Sequence, residues 1–140
     1  MTILSSLKTW LEDYSGLETD APVWVNHLGS EPTQYGIVPL GGSRIIESYV
    51  DGSSLRSFPF AFQSVESTID ELQRLENIGF YELLADWFES ETDDGTLPTL
   101  GTGQTAESVS ALGWGFLFEQ GKSDTGIYQV QCQLVYEQAA

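Results

Sequence analysis

Tyr128, Val130, Cys132, Leu134 and Tyr136 occupy every second position near the end of the chain, while Gln129, Gln131, Gln133 and Glu137 fall between them. Successive side chains on a β-strand point to opposite faces, so this is a strand with one face on a core and the other polar. A lone strand cannot bury its apolar side, and the sequence must supply partners for it. Two more aromatic alternations do so: Phe58, Phe60 and Phe62 within residues 55–63, and Trp114, Phe116 and Phe118. Pro59 lies between the first pair of phenylalanines and has no ladder hydrogen to donate, which predicts an edge position or a bulge.

Shorter β-rich runs precede these, at residues 23–28, 35–39 and 44–50. A turn spans Gly29 to Pro32, the Gly41-Gly42 pair ends the second run after Pro39, and Asp51-Gly52 is a strong turn signal after the third. Gly121 to Gly126 joins the last two strands as a hairpin loop. Helical spacing appears twice. Ile3, Leu7, Trp10 and Tyr14 predict a helix over 3–14, capped by Thr2 and closed by Gly16 in a left-handed conformation. Ile69, Leu72, Phe80, Leu83 and Trp87 predict a second, starting at Ser64 or Ser67 and running to about Glu89. At ~1.5 Å per residue it would extend roughly 35 Å, with a bend at Asn77-Ile78-Gly79, since Leu75 and Ile78 lie off its stripe. Residues 90–108, rich in acid, glycine and threonine, read as a long loop, of the kind that serves a function or orders against a partner. The expected fold class is α+β: helix, strands, helix, two strands, as an antiparallel or mixed sheet with both helices on one face and the glutamine row on the other.

At 140 residues the chain suits one domain, since two would each bury too small a core. A hydrophobic content of 41% is too high for a disordered chain. No apolar run approaches the roughly 20 residues that span a bilayer, and the first residues lack a signal peptide's basic and apolar regions. The single Cys132 cannot form an internal disulfide, and a soluble protein made in the cytosol is expected.

Twenty-one Asp and Glu against five Lys and Arg give a formal charge of −16. Nucleic-acid affinity rests on cations that neutralise phosphates, so this balance argues against DNA or RNA binding, and equally against an anionic membrane. It fits a solubilising surface, one that repels a polyanion, or one that docks a basic partner.

The chemistry-bearing residues are few. His27 and Cys132 are the only histidine and cysteine, so no nitrogen–sulfur metal cluster can form. Residues 91–95 lack the alternating oxygen ligands of a calcium loop. His27 is the sole candidate base for a nucleophile, and Cys132 sits on the apolar face of its strand, where a thiol behaves as a small hydrophobe. Gly121-Lys122-Ser123 ends like a phosphate loop, but Phe116 stands where the first glycine is needed, and a strand follows where a helix is needed. No catalytic residues, cofactor or metal are expected.

Four stretches carry a resemblance: Tyr49 to Arg56 (YVDGSSLR), Glu76 to Glu82 (ENIGFYE), Leu97 to Gly101 (LPTLG) and Tyr128 to Tyr136 (YQVQCQLVY). Together they resemble the tail terminator, or tail completion, proteins of long-tailed bacteriophages and prophages, over nearly the whole chain in order. The sequence departs from that pattern at Gly41-Gly42 and Trp114-Gly115. The resemblance implies a virion subunit, assembled in the host cytoplasm, that forms a homo-oligomeric ring, typically a hexamer. The ring would cap the head-proximal end of the tail tube, stop its polymerisation and meet the head–tail connector. DNA would pass through an acidic channel without specific binding, because like charge keeps phosphates from sticking. On this reading Arg56 is a candidate to pair with an acid of the next subunit. Gln129, Gln131 and Gln133 are candidates for sheet-to-sheet contact, and Glu91, Asp93 and Asp94 for the channel wall or a basic partner. The aromatic set Trp114, Phe116 and Phe118 is expected in the core. The alternatives are a head–tail connector or stopper component, a stand-alone acidic binding module, and an unrecognised hydrolase.

Overall fold

A computed structural model of the chain describes residues 2–17, 23–25, 34–41, 44–67, 71–113, 115–120 and 125–140. In chain order these form α1 (Ile3–Leu11), β1 (Val23–Val25), β2 (Gln34–Pro39), β3 (Arg44–Ser48), β4 (Ser54–Ser67), α2 (Glu71–Asp94), β5 (Gln104–Ala111), β6 (Phe116–Gln120) and β7 (Thr125–Gln138). The fold is α+β, with a mixed sheet of seven strands.

Two long strands organise the sheet. β4 and β7 pair antiparallel along their whole length, from Ser54 opposite Gln138 to Ser67 opposite Thr125. Each carries two shorter strands end to end on its outer side. β3 and then β2 pair with β4, and β6 and β5 pair with β7. Only β1–β2 is parallel. Pro59 is therefore in a long central strand, not at a sheet edge or bulge. It falls where the outer neighbour changes from β3, whose pairing with β4 ends at Ser57, to β2, whose pairing begins at Phe60. Its carbonyl accepts the Leu40 N–H at 3.0 Å, so its missing hydrogen costs no ladder bond.

Alternation decides the core. Phe60 and Phe62 of β4, and Val130, Cys132, Leu134 and Tyr136 of β7, are buried on one face, where Leu7, Trp10 and Leu11 of α1 and Tyr81, Leu84 and Phe88 of α2 meet them. Both helices thus cover the same face. Thr2 caps α1 reciprocally with Ser5, each side chain accepting the other's backbone N–H at 3.1 Å. The helix stops at Leu11, earlier than the expected Tyr14. Gly16 is not a left-handed cap; it lies against the Tyr14 ring.

The second helix differs most from expectation. Ser64 does not cap it but sits in β4, and the residues just before Glu71 lie outside those described. No break occurs at Gly79, and α2 continues to Asp94. Among its described side chains Asn77, Tyr81, Leu84 and Phe88 are buried, one step round from the expected stripe, of which Phe80 and Trp87 pack partly buried against the core and Leu83 is exposed. The side chains of Ile69 and Leu72 lie outside the described residues. Three strands follow α2, not two. β5 occupies part of the supposed loop at 90–108. Its residues are small or polar, and Val109 alone among them is buried, because it is an edge strand. Phe118 is exposed at a register shift in β6, where a core position was expected.

Candidate functional site

His27, Trp114, the Gly29–Pro32 turn and the Gly121-Lys122-Ser123 motif lie outside the described residues. Among the described residues no group of three or more His, Cys, Asp and Glu side chains could hold a metal. No described helix is long and apolar enough to cross a membrane. The Cys132 thiol is fully buried, and burial pushes it far above its ordinary value of 9.0, so it carries no thiolate near neutral pH.

The buried polar chemistry is structural. The Tyr81 hydroxyl donates to the Tyr128 carbonyl at 3.0 Å and stands 2.6 Å from the Ser64 hydroxyl. Since its one hydrogen goes to the carbonyl, Ser64 donates to it. Burial raises the Tyr81 phenol well above its usual range, and all three groups are paired. The site locks α2 onto the β4–β7 pair. Gly115 packs against it so closely that a Cβ would come 2.4 Å from the Tyr81 Cβ and Cγ.

The acidic groups form a different feature. Glu91, Asp93 and Asp94, expected on a loop, lie in the last turns of α2. Asp93 belongs to a stripe that sequence reading missed: Glu82, Asp86, Glu89 and Asp93, spaced i, i+4, i+7 and i+11 along one side of the helix. This stripe borders a groove between α2 and β5. One part, ≈ 590 Å³, is floored by Ala85, Ala111 and Gly115 and flanked by Glu82, Asp86 and Leu112. A smaller part, ≈ 290 Å³, runs on past Glu89, Asp93 and Ser108. Thr92 closes the strand side: its hydroxyl donates to the Val109 carbonyl and accepts the Val109 N–H, both at 3.2 Å. The backbone N–H and carbonyl of Val109 are thereby satisfied by a side chain and not by a further strand.

The glutamine row does not behave as one surface. Gln129 is buried and accepts from the Gln63 amide at 2.8 Å, while Gln131 is exposed and Gln133 is half-buried. Only the latter two remain available for contact. Arg56 is half-buried in β4, its Nε donating to the Ser54 hydroxyl at 2.9 Å. Opposite it lies β3, which is exposed at every position, including Ile45 and Ile46. The turn that follows is fixed locally. Asp51 accepts from the Ser53 N–H and hydroxyl, which lowers its carboxyl below the usual value, and Gly52 takes φ +92°.

Arg56 thus lies in β4, while the acids of α2 border β5, with β7 between the two strands. Glu82, Asp86 and Glu89 fall on one side of the helix already expected from the sequence, and only Asp93 required the helix to continue past Glu89. The chain matches no protein-family model, and no curated protein matches it at a significant level.

Proposed function

We propose that this chain is a virion structural subunit of the tail terminator type, which assembles with copies of itself into a ring, of six by the resemblance, on the head-proximal end of a tail tube. The observation that carries this reading is the uncovered β3–β4 edge hairpin. Its apolar side chains are displayed together on a short, well-defined turn, and apolar residues grouped in this way mark a surface that another protein covers. The stretch Tyr49 to Arg56, one of the four that resemble tail terminators, spans this turn and the start of β4.

Charge supports the second half of the reading. At −16 the subunit repels phosphates, and a ring of such subunits would let a genome pass without retaining it. A head-to-tail contact that closes by rotation also limits its own growth, as a cap requires.

The test is direct. Purified protein is added to polymerising tail tube subunits and viewed by negative-stain electron microscopy. Rings at one tube end, with arrested elongation, are expected. Rings that bind a connector but never a tube would support the connector or stopper reading. A monomer with no affinity for tubes, or retention of duplex DNA at physiological salt, would defeat the proposal.

A further inference from the structure

We infer that the helix-side face of the β3–β4 hairpin is the surface by which one subunit grips the next, seating Ile45 and Arg56 in the acidic α2–β5 groove of a second copy. This inference rests on the reading of the chain as a self-assembling subunit and names the surfaces that reading leaves open.

The hairpin has two unlike faces. Across the sheet, Ile45, Arg56, Tyr136 and Ala106 form one row, and Glu47, Leu55, Glu137 and Thr105 form a nearby row on the opposite face. On that opposite face the carboxylates of Glu47, Glu137 and Glu107 lie close enough to Tyr49 to join its partial burial in pushing the phenol up. A second copy of an acidic chain would be repelled there. On the helix side, no carboxylate occurs in the paired positions of this end: Ser48, Ser54 and Gln138 complete the row beyond Ile45 and Arg56. Neither helix covers β3, and Ile45 is 57% exposed on the side where the rest of the sheet is buried. Ile46 and Val50 add to the apolar surface, at 53% and full exposure.

Charge selects the occupant. Arg56 is one of only five cations in the chain, and Lys8–Glu12 is the only ion pair among the described residues. Arg56 therefore meets no described carboxylate within its own subunit, while Arg44, one row on, points to the opposite face. The carboxylates of Glu82, Asp86 and Glu89 stand along the groove on the far side of the sheet, beside the exposed Leu112 and above a floor of alanines. Apolar floor and acidic rim complement an isoleucine beside a guanidinium. Because β3 flanks β4 on one edge and β5 flanks β7 on the other, no subunit can satisfy both surfaces with itself. Each offers one to each neighbour, which is the geometry of a closed ring.

Mass photometry of the full chain over a concentration series, with tube subunits present and absent, reads the outcome. Ile45→Glu and Arg56→Glu should each weaken ring formation at least about tenfold, or about 1.4 kcal/mol, with unfolding midpoints unchanged. Arg56→Glu combined with Asp86→Lys should recover part of that loss. As a second readout, an Ile45→Cys, Leu112→Cys variant should form an oxidised ladder ending in one closed species, with the buried Cys132 taking no part. Wild-type rings that persist unchanged in all three charge and apolar variants, without cross-linking, overturn this inference and leave the ring reading intact. A wild-type chain that never assembles overturns both.

Discussion

One strand, β4, passes through two environments, and the contrast separates what holds this protein together from what it offers outward. From Phe60 to Glu66 every residue but Gln63 is buried, with α2 above and β2 and β7 on either side. There Phe62 packs against the rings of Tyr35 and Tyr81, Phe60 is fully buried, and Ser64 shares the hydroxyl of Tyr81. From Ser54 to Ser57 the same strand is flanked by β3, whose residues are exposed throughout. β4 is paired on both sides at either end, with one register shift, between Ile45 and Glu47, on the β3 side. The larger difference is cover, and cover is decided by where the helices lie. A sheet end that is paired yet uncovered displays apolar groups without losing its shape, which is what a pre-organised contact surface needs.

The sharpest attack on this contrast is on the covered end. Phe60→Ala should cost about 3–5 kcal/mol in urea unfolding, because the ring is fully buried in the core and its removal leaves a cavity that the surroundings fill only in part. Gly115→Ala should cost about 1–3 kcal/mol by the same measurement, since its methyl group meets the Cβ and Cγ of Tyr81 and not a movable tip. A wild-type unfolding midpoint for either would mean that α2 is not held where the Tyr81 contacts place it. Tyr81→Phe should lose about 1–3 kcal/mol, as it leaves the buried Tyr128 carbonyl without its donor.

Alkaline pH probes the same end without a large packing change. The folded thiol of Cys132 is raised far above 9.0, so its contribution is complete below that value. As pH rises past 9.0 the unfolded chain releases a proton that the folded chain keeps, and stability should fall by up to about 1.4 kcal/mol per pH unit from this group. Cys132→Ala should flatten that part of the pH profile; an unchanged slope would show the thiol to be open to solvent. The smallest effect belongs to the uncovered end. Val50→Asp should change stability by no more than about 0.5 kcal/mol, since the side chain is fully exposed. A loss as large as that at Phe60 would erase the distinction between the two ends.

The regions differ in legibility for the same reason. Phe58–Phe62 and Tyr128–Tyr136 announce themselves by large apolar groups at period two, and their burial follows. β5 gives no such signal: Gln104 to Ala111 is a strand because β7 offers it a backbone edge and α2 a lid, not because its side chains demand burial. The end of α2 was hidden by Glu91-Thr92-Asp93-Asp94, which reads as polar loop although the helix continues and Thr92 anchors it to Val109. The candidate contact residues split likewise. The acids stand out by charge, and Glu82, Asp86 and Glu89 share one side of the expected helix, but that this side borders a groove depends on where β5 lies. Gln129 looked equivalent to Gln131 until Gln63, 66 residues earlier, was placed opposite it.

By itself, then, the sequence determined the α+β class, the two aromatic strands that line the core, the helix capped at Thr2, the turn at Asp51-Gly52 and the strongly acidic charge. These rest on local periodicity, capping chemistry and net charge, none of which depends on distant neighbours. Tertiary structure alone decided which outer strands flank β4 and β7, which face of α2 is buried, and that an exposed apolar hairpin and an acidic groove lie beside β3 and β5 on opposite edges. Those outcomes depend on contacts between residues far apart in the chain, where the pairing of one strand fixes the exposure of another.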